Sequence, residues 1–101
     1  GEAVQTYAES HNLGVVKELV GHGIGHEMHE EPQVPNFGQR NKGVTVKENM
    51  CLAIEPMINM GKREIYIKKD GWTIATADGK PSAHYENTVI VTSKGVEILS
   101  L

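Results

Sequence analysis

From Gly1 to Asn12 the apolar residues Ala3, Val4, Tyr7 and Ala8 recur with Glu2, Gln5, Glu9 and Ser10 between them. That rhythm predicts an amphipathic helix, ended near Asn12-Leu13-Gly14. Val15 to Val20 is apolar-rich and reads as a short strand. Gly21 to Pro32 breaks the rhythm, and Pro32 and Pro35 are expected to hold an irregular, extended loop as far as Gly38. Val44-Thr45-Val46 alternates, and Lys47-Glu48-Asn49 is turn-like, with Asn49 suited to a left-handed backbone. Met50 to Met57 is the most apolar segment; as a strand it sends Leu52 and Ile54 one way and Ala53, Glu55 and Met57 the other. Glu64 to Lys68 and Trp72 to Thr76 alternate around Asp70-Gly71, a strong hairpin signal. A second turn is expected at Asp78-Gly79-Lys80-Pro81. His84 to Thr92 then reads as one long strand on which Glu86, Thr88 and Ile90 share a face, and Ser93-Lys94-Gly95 turns it into Val96 to Leu99. The pattern predicts an α+β chain: one N-terminal helix, then a mostly antiparallel sheet, with irregular structure around the histidines.

Length narrows this to one domain or one lobe of a larger one, since 101 residues lies at the low end of common domain sizes. A composition 39% hydrophobic and 23% charged suits a globular protein, and no apolar run approaches the roughly 20 residues that cross a bilayer. A net charge of −3 without a cluster of Lys and Arg gives no footprint for nucleic acid. The single cysteine, Cys51, forms no internal disulfide, which points to the cytosol. The chain opens without an initiating Met and already inside a helix, so it is expected to be cut from something longer.

Three of the five histidines, His22, His26 and His29, fall between Gly21 and Pro32 beside three carboxylates. Read as a helix, His22 and His26 would share a face as zinc ligands do. Gly23 and Gly25 oppose that helix at roughly 1 kcal/mol each, and His26-Glu27-Met28-His29 is one residue short of the H-E-x-x-H pattern. His22 between two glycines is a plausible metal ligand; the pentapeptide alone equally allows a surface-loop histidine. Glu55 is sharper, because flanks as apolar as Leu52-Ala53-Ile54 and Met57-Ile58 would bury it. A buried carboxylate binds a cation, pairs with a base such as Lys17 or Arg63, or takes up a proton. Glu86 stands in a similar setting, with a solvated edge strand as its plain alternative. Together the three offer one imidazole and two carboxylates, a donor set for Mn, Fe, Co or Zn, and each carboxylate could bridge two ions. Three ligands do not complete such a centre, and no Asp precedes Asp70 to add one.

Gly21-His22-Gly23-Ile24-Gly25 with Met28-His29-Glu30-Glu31-Pro32, then Ile54-Glu55-Pro56-Met57, then Asp70-Gly71-Trp72-Thr73 and Ser82-Ala83-His84-Tyr85-Glu86-Asn87-Thr88 resemble, in order, the C-terminal blocks of the type I methionine aminopeptidases. The likeness runs over essentially the whole chain. It implies the C-terminal half of the pita-bread (creatinase/aminopeptidase) fold, a curved, mostly antiparallel sheet with an N-terminal helix, over residues 1–101 as a single lobe. The N-terminal half, with two aspartate ligands and another substrate-contacting histidine, would be absent.

By the same resemblance His22, Glu55 and Glu86 are metal ligands, with Glu86 bridging two divalent ions (Co, Mn, Fe or Zn). Glu55 also moves the proton. His29 contacts the substrate and steadies the tetrahedral intermediate, and Met28 and Trp72 line the pocket for a methionine side chain. The implied protein is a cytoplasmic enzyme that removes the N-terminal Met from nascent peptides at the ribosome, binding neither nucleic acid nor membrane. This chain by itself would be inactive. Two positions depart from the family pattern. Met28 replaces a common aromatic residue, and Asn87 replaces a usual His beside Glu86. The rival readings are a proline-specific peptidase of the same fold and a non-catalytic pita-bread binding module.

Overall fold

The computed structural model describes residues 1–100. Helix α1 spans Glu2–Ser10, with Glu2 in the first turn, where a carboxylate complements the helix dipole. It ends as the amides of His11 and Asn12 donate to the Ala8 and Glu9 carbonyls and Asn12 takes φ 60°. Ten strands follow: β1 Gly14–Val15, β2 Gly21–Ile24, β3 Glu30–Val34, β4 Cys51–Ile54, β5 Met57–Asn59, β6 Ile65–Ile67, β7 Ile74–Thr76, β8 Ser82–His84, β9 Asn87–Thr92 and β10 Gly95–Ile98. They form a three-stranded sheet ordered β1-β5-β8, a five-stranded sheet ordered β10-β9-β4-β2-β3, and the hairpin β6-β7. All pairings are antiparallel.

The two larger sheets share one ribbon. In β4-β9 Ala53 stands opposite Thr88 and Ile54 opposite Asn87, and in β5-β8 Met57 stands opposite His84 and Ile58 opposite Ala83. The offset between partners is the same in both, so 51–59 runs against 82–90 in one register, interrupted only at Glu55-Pro56 and Tyr85-Glu86. Pro56 has no amide proton to give a ladder, but its carbonyl accepts from Tyr85 N–H at 3.3 Å across the interruption. The long strand predicted from His84 to Thr92 is therefore continuous in path and broken in pairing, because here the chain passes from one sheet to the other.

The largest difference from the sequence reading lies around His22. Gly21 to Ile24 is a central strand between β4 and β3, and Glu30 to Val34, expected as an irregular loop, is its edge partner. A register shift between His22 and Gly23 lets β3 pass Pro32 without losing the pairing. Gly23, which argued against a helix, and Gly21 stand where neighbouring backbones pack closely. A Cβ on Gly21 would strike the Ala53 carbonyl oxygen, and one on Gly23 the Glu31 carbonyl oxygen.

Of the strand predicted over 15–20 only Val15 belongs to a ladder, in β1, while Val16 N–H donates to the Met57 carbonyl at 3.1 Å; both valines are fully buried. Val44 to Val46 joins no ladder and stays exposed. The turn at Asp70-Gly71 forms as expected, with Gly71 at φ 84°. The buried apolar core is small: Ala8, Val15, Val16, Leu52, Ala53 and Val89. Among the described residues no helix is long and apolar enough to cross a membrane.

Candidate metal centre

Register decides which side chains meet. Cross-strand partners in a sheet point to the same face, and so do residues two apart on one strand. His22 lies opposite Ala53 on β4, and Ala53 opposite Thr88 on β9. Glu55 is the next same-face residue after Ala53, and Glu86 the one before Thr88, so both carboxylates leave the ribbon at its interruption beside His22. One ligand atom from each of His22, Glu55 and Glu86 lies within 4.8 Å of the others. No other group of this kind occurs among the described residues.

The His22 imidazole is held from behind. Its Nδ1 lies 3.0 Å from the Gly23 carbonyl oxygen, which can only accept, so the proton sits on Nδ1. That leaves Nε2 as the free nitrogen, 3.0 Å from Glu55 Oε2. The His22 and Glu55 side chains are each 15% exposed, and the buried Oε2 accepts no hydrogen bond. A lone pair against an unsatisfied carboxylate oxygen is repulsive unless a cation lies between the two, either a second imidazole proton or a metal ion. With an exposed Glu86 carboxylate completing the trio, one nitrogen and several hard oxygens suit a divalent first-row ion. Glu55 pairs with neither Lys17 nor Arg63; Arg63 lies 4.0 Å from Glu18 instead.

Two further imidazoles reach the group. The exposed His29 ring lies 4.2 Å, centroid to centroid, from His22 and is tilted to it. His84 places Nε2 3.5 Å from Glu55 Oε1. Sequence reasoning passed over His84, although the alternation His84-Tyr85-Glu86 puts it on the face of Glu86. His26 is exposed. Met28 and Trp72 are 74% and 78% exposed, so any apolar pocket they line is not closed by this chain alone.

A sequence model of metallopeptidase family M24 matches residues 1–93. The chain belongs to this family. Metallopeptidase chemistry uses a divalent metal, and the trio at the ribbon's interruption is a group that could hold one. The chain is 53% identical over 98 residues to a methionine aminopeptidase of Clostridium perfringens, covering 97% of this chain and 39% of that one. To the methionine aminopeptidase of Escherichia coli K12 it is 50% identical over 101 residues, covering 100% and 38%. The crystal structure of methionine aminopeptidase from Rickettsia prowazekii superposes with a TM-score of 0.94 at 46% identity, over 98% of this chain and 40% of that one. That from Thermotoga maritima gives 0.92 at 46%, over 95% and 39%. The pita-bread architecture follows from this likeness. The chain spans about two fifths of the length of the M24 relatives it matches.

Proposed function

We propose that the protein containing this chain is a methionine aminopeptidase, and that residues 1–101 form the C-terminal lobe of its catalytic domain. One observation carries the reading. His22, Glu55 and Glu86 converge within 4.8 Å, and the buried Oε2 of Glu55 has no hydrogen-bond partner. The trio fits divalent ions, two in number if Glu86 bridges them, with Co, Mn, Fe and Zn all compatible with its donors. The chemistry such ions supply is a water activated for attack near neutral pH.

This chain's own residues do the rest. Glu55 takes the proton released as the first peptide carbonyl is attacked and passes it to the leaving amine. His29, tilted against His22, donates toward the carbonyl oxygen as negative charge develops on it. Met28 and Trp72 contribute one wall of an apolar pocket for the methionine side chain, completed by the other lobe. The substrate would be the N-terminal Met of nascent peptides, in the cytoplasm and at the ribosome.

The test is Glu55→Gln in the intact protein. Turnover of a Met-Ala-Ser peptide should fall by about 10²–10⁴-fold, the usual contribution of a positioned proton carrier. Unchanged turnover would remove Glu55 from the mechanism, and cleavage of X-Pro peptides in preference to Met-Ala-Ser would replace the substrate assignment. The isolated chain, holding three ligands, should bind divalent metal weakly and hydrolyse nothing. Two tight sites on it by titration calorimetry would contradict this.

A further inference from the structure

We infer that His84 is a positioning residue for the Glu55 carboxylate, donating from Nε2 to Oε1 and so fixing which oxygen turns toward the metal group. The inference rests on the metal-centre reading above. The two Glu55 oxygens are shared between two imidazoles: Oε2 lies 3.0 Å from His22 and Oε1 3.5 Å from His84. The imidazoles are not equivalent. His22 has its Nδ1 proton committed to the Gly23 carbonyl and presents a lone pair. No such commitment is found for His84 among the described residues, so it is free to carry its proton on Nε2 and donate.

The backbone makes this a fixed relationship. His84 closes β8 directly opposite Met57, and Tyr85 N–H reaches the Pro56 carbonyl, so His84 is tied on both sides of the residues that follow Glu55. A glutamate needs such a tie, because its terminal carboxylate torsion is broad and roughly two-fold. Left alone, Oε1 and Oε2 would exchange places. A donor on Oε1 holds Oε2 beside His22, in the way that outer hydrogen bonds orient metal-binding side chains. His84 is 43% exposed, which makes it replaceable without loss of the core.

The experiment compares wild type, His84→Ala and His84→Gln in the intact protein, titrated with Mn²⁺ by calorimetry and assayed on Met-Ala-Ser. His84→Ala should weaken Mn²⁺ binding about 10–100-fold and lower kcat at least about tenfold, with KM changed by no more than about threefold. His84→Gln, which keeps an N–H donor, should recover most of both. An Ala variant that binds Mn²⁺ and turns over like wild type would overturn the inference alone. Equal Mn²⁺ loss in both variants would overturn it in favour of His84 as a direct ligand. A wild-type protein that binds no divalent ion would overturn the metal reading and this inference with it.

Discussion

His22 Nε2 and Glu55 Oε2 face each other at 3.0 Å, yet Oε2, buried from solvent, accepts no hydrogen bond. The Gly23 carbonyl is the cause, because it draws the imidazole proton to the far nitrogen. Two electron-rich atoms are thus held side by side by a sheet register that fixes both strands, and a cation relieves their repulsion.

Divalent metal should therefore stabilise the fold as well as serve the reaction. In the intact protein, Mn²⁺ at about 100 times its Kd should add roughly 2.7 kcal/mol to unfolding, and a chelator should reverse the gain. Differential scanning calorimetry with and without chelator checks this. A melting temperature indifferent to both would count against a metal at the trio.

Gly23→Ala should disturb the same site through the backbone. The added Cβ meets the Glu31 carbonyl oxygen, which is backbone and cannot swing away, so β2 and β3 must part. Overpacking of this kind costs about 1–3 kcal/mol, and His22 would move with its strand. Thermal melts should show the loss, and Mn²⁺ affinity should fall with it. A variant as stable and as metal-avid as wild type would show that the close approach does not matter.

His29→Ala should leave metal binding nearly intact while lowering kcat. The ring lies tilted against His22 and shares no ligand atom with the trio. Loss of one oxyanion donor typically costs about 10²–10³ in kcat. Steady-state kinetics paired with Mn²⁺ titration separate the two effects. Collapse of metal binding would make His29 a ligand instead.

Acid should loosen the β6-β7 hairpin. The Asp70 carboxylate accepts from the Thr73 hydroxyl, from Thr73 N–H at 2.8 Å and from Trp72 N–H at 3.0 Å, and these bonds hold its pKa below the ordinary 3.8. A depressed folded pKa means that the stabilisation is complete above the ordinary value and is lost as pH falls through the folded value. The Trp72 and Thr73 amide resonances should titrate with a midpoint below 3.8, and Asp70→Ala should abolish that titration. A midpoint at or above 3.8 would mean that the bonds do not persist in solution.

Sequence alone determined the features that local physics controls. Helix α1 followed from the spacing of Ala3, Val4, Tyr7 and Ala8. The β6-β7 hairpin followed from alternation about Asp70-Gly71, and the suspicion attached to Glu55 from its apolar flanks. The order of the motifs also carried the resemblance to the methionine aminopeptidases. Local signals misled at Gly21 to Pro32, where glycine and proline say loop and the structure has two paired strands. Neighbouring backbones approach too closely at Gly21 and Gly23 for a side chain, and the one that crowds Gly21, at Ala53, lies far along the chain.

Tertiary structure decided which residues share the centre. The ribbon of 51–59 against 82–90 sets Glu55 beside Glu86 at its one interruption, and β2 lays His22 across both. The same ribbon brought in His84, which lies in the block Ser82 to Thr88 but to which the sequence attached no role. Periodicity and turn chemistry act over a few residues of chain, and so can be read along it. Register between distant strands depends on how whole strands bury their faces together, and it becomes visible only once the sheet has closed.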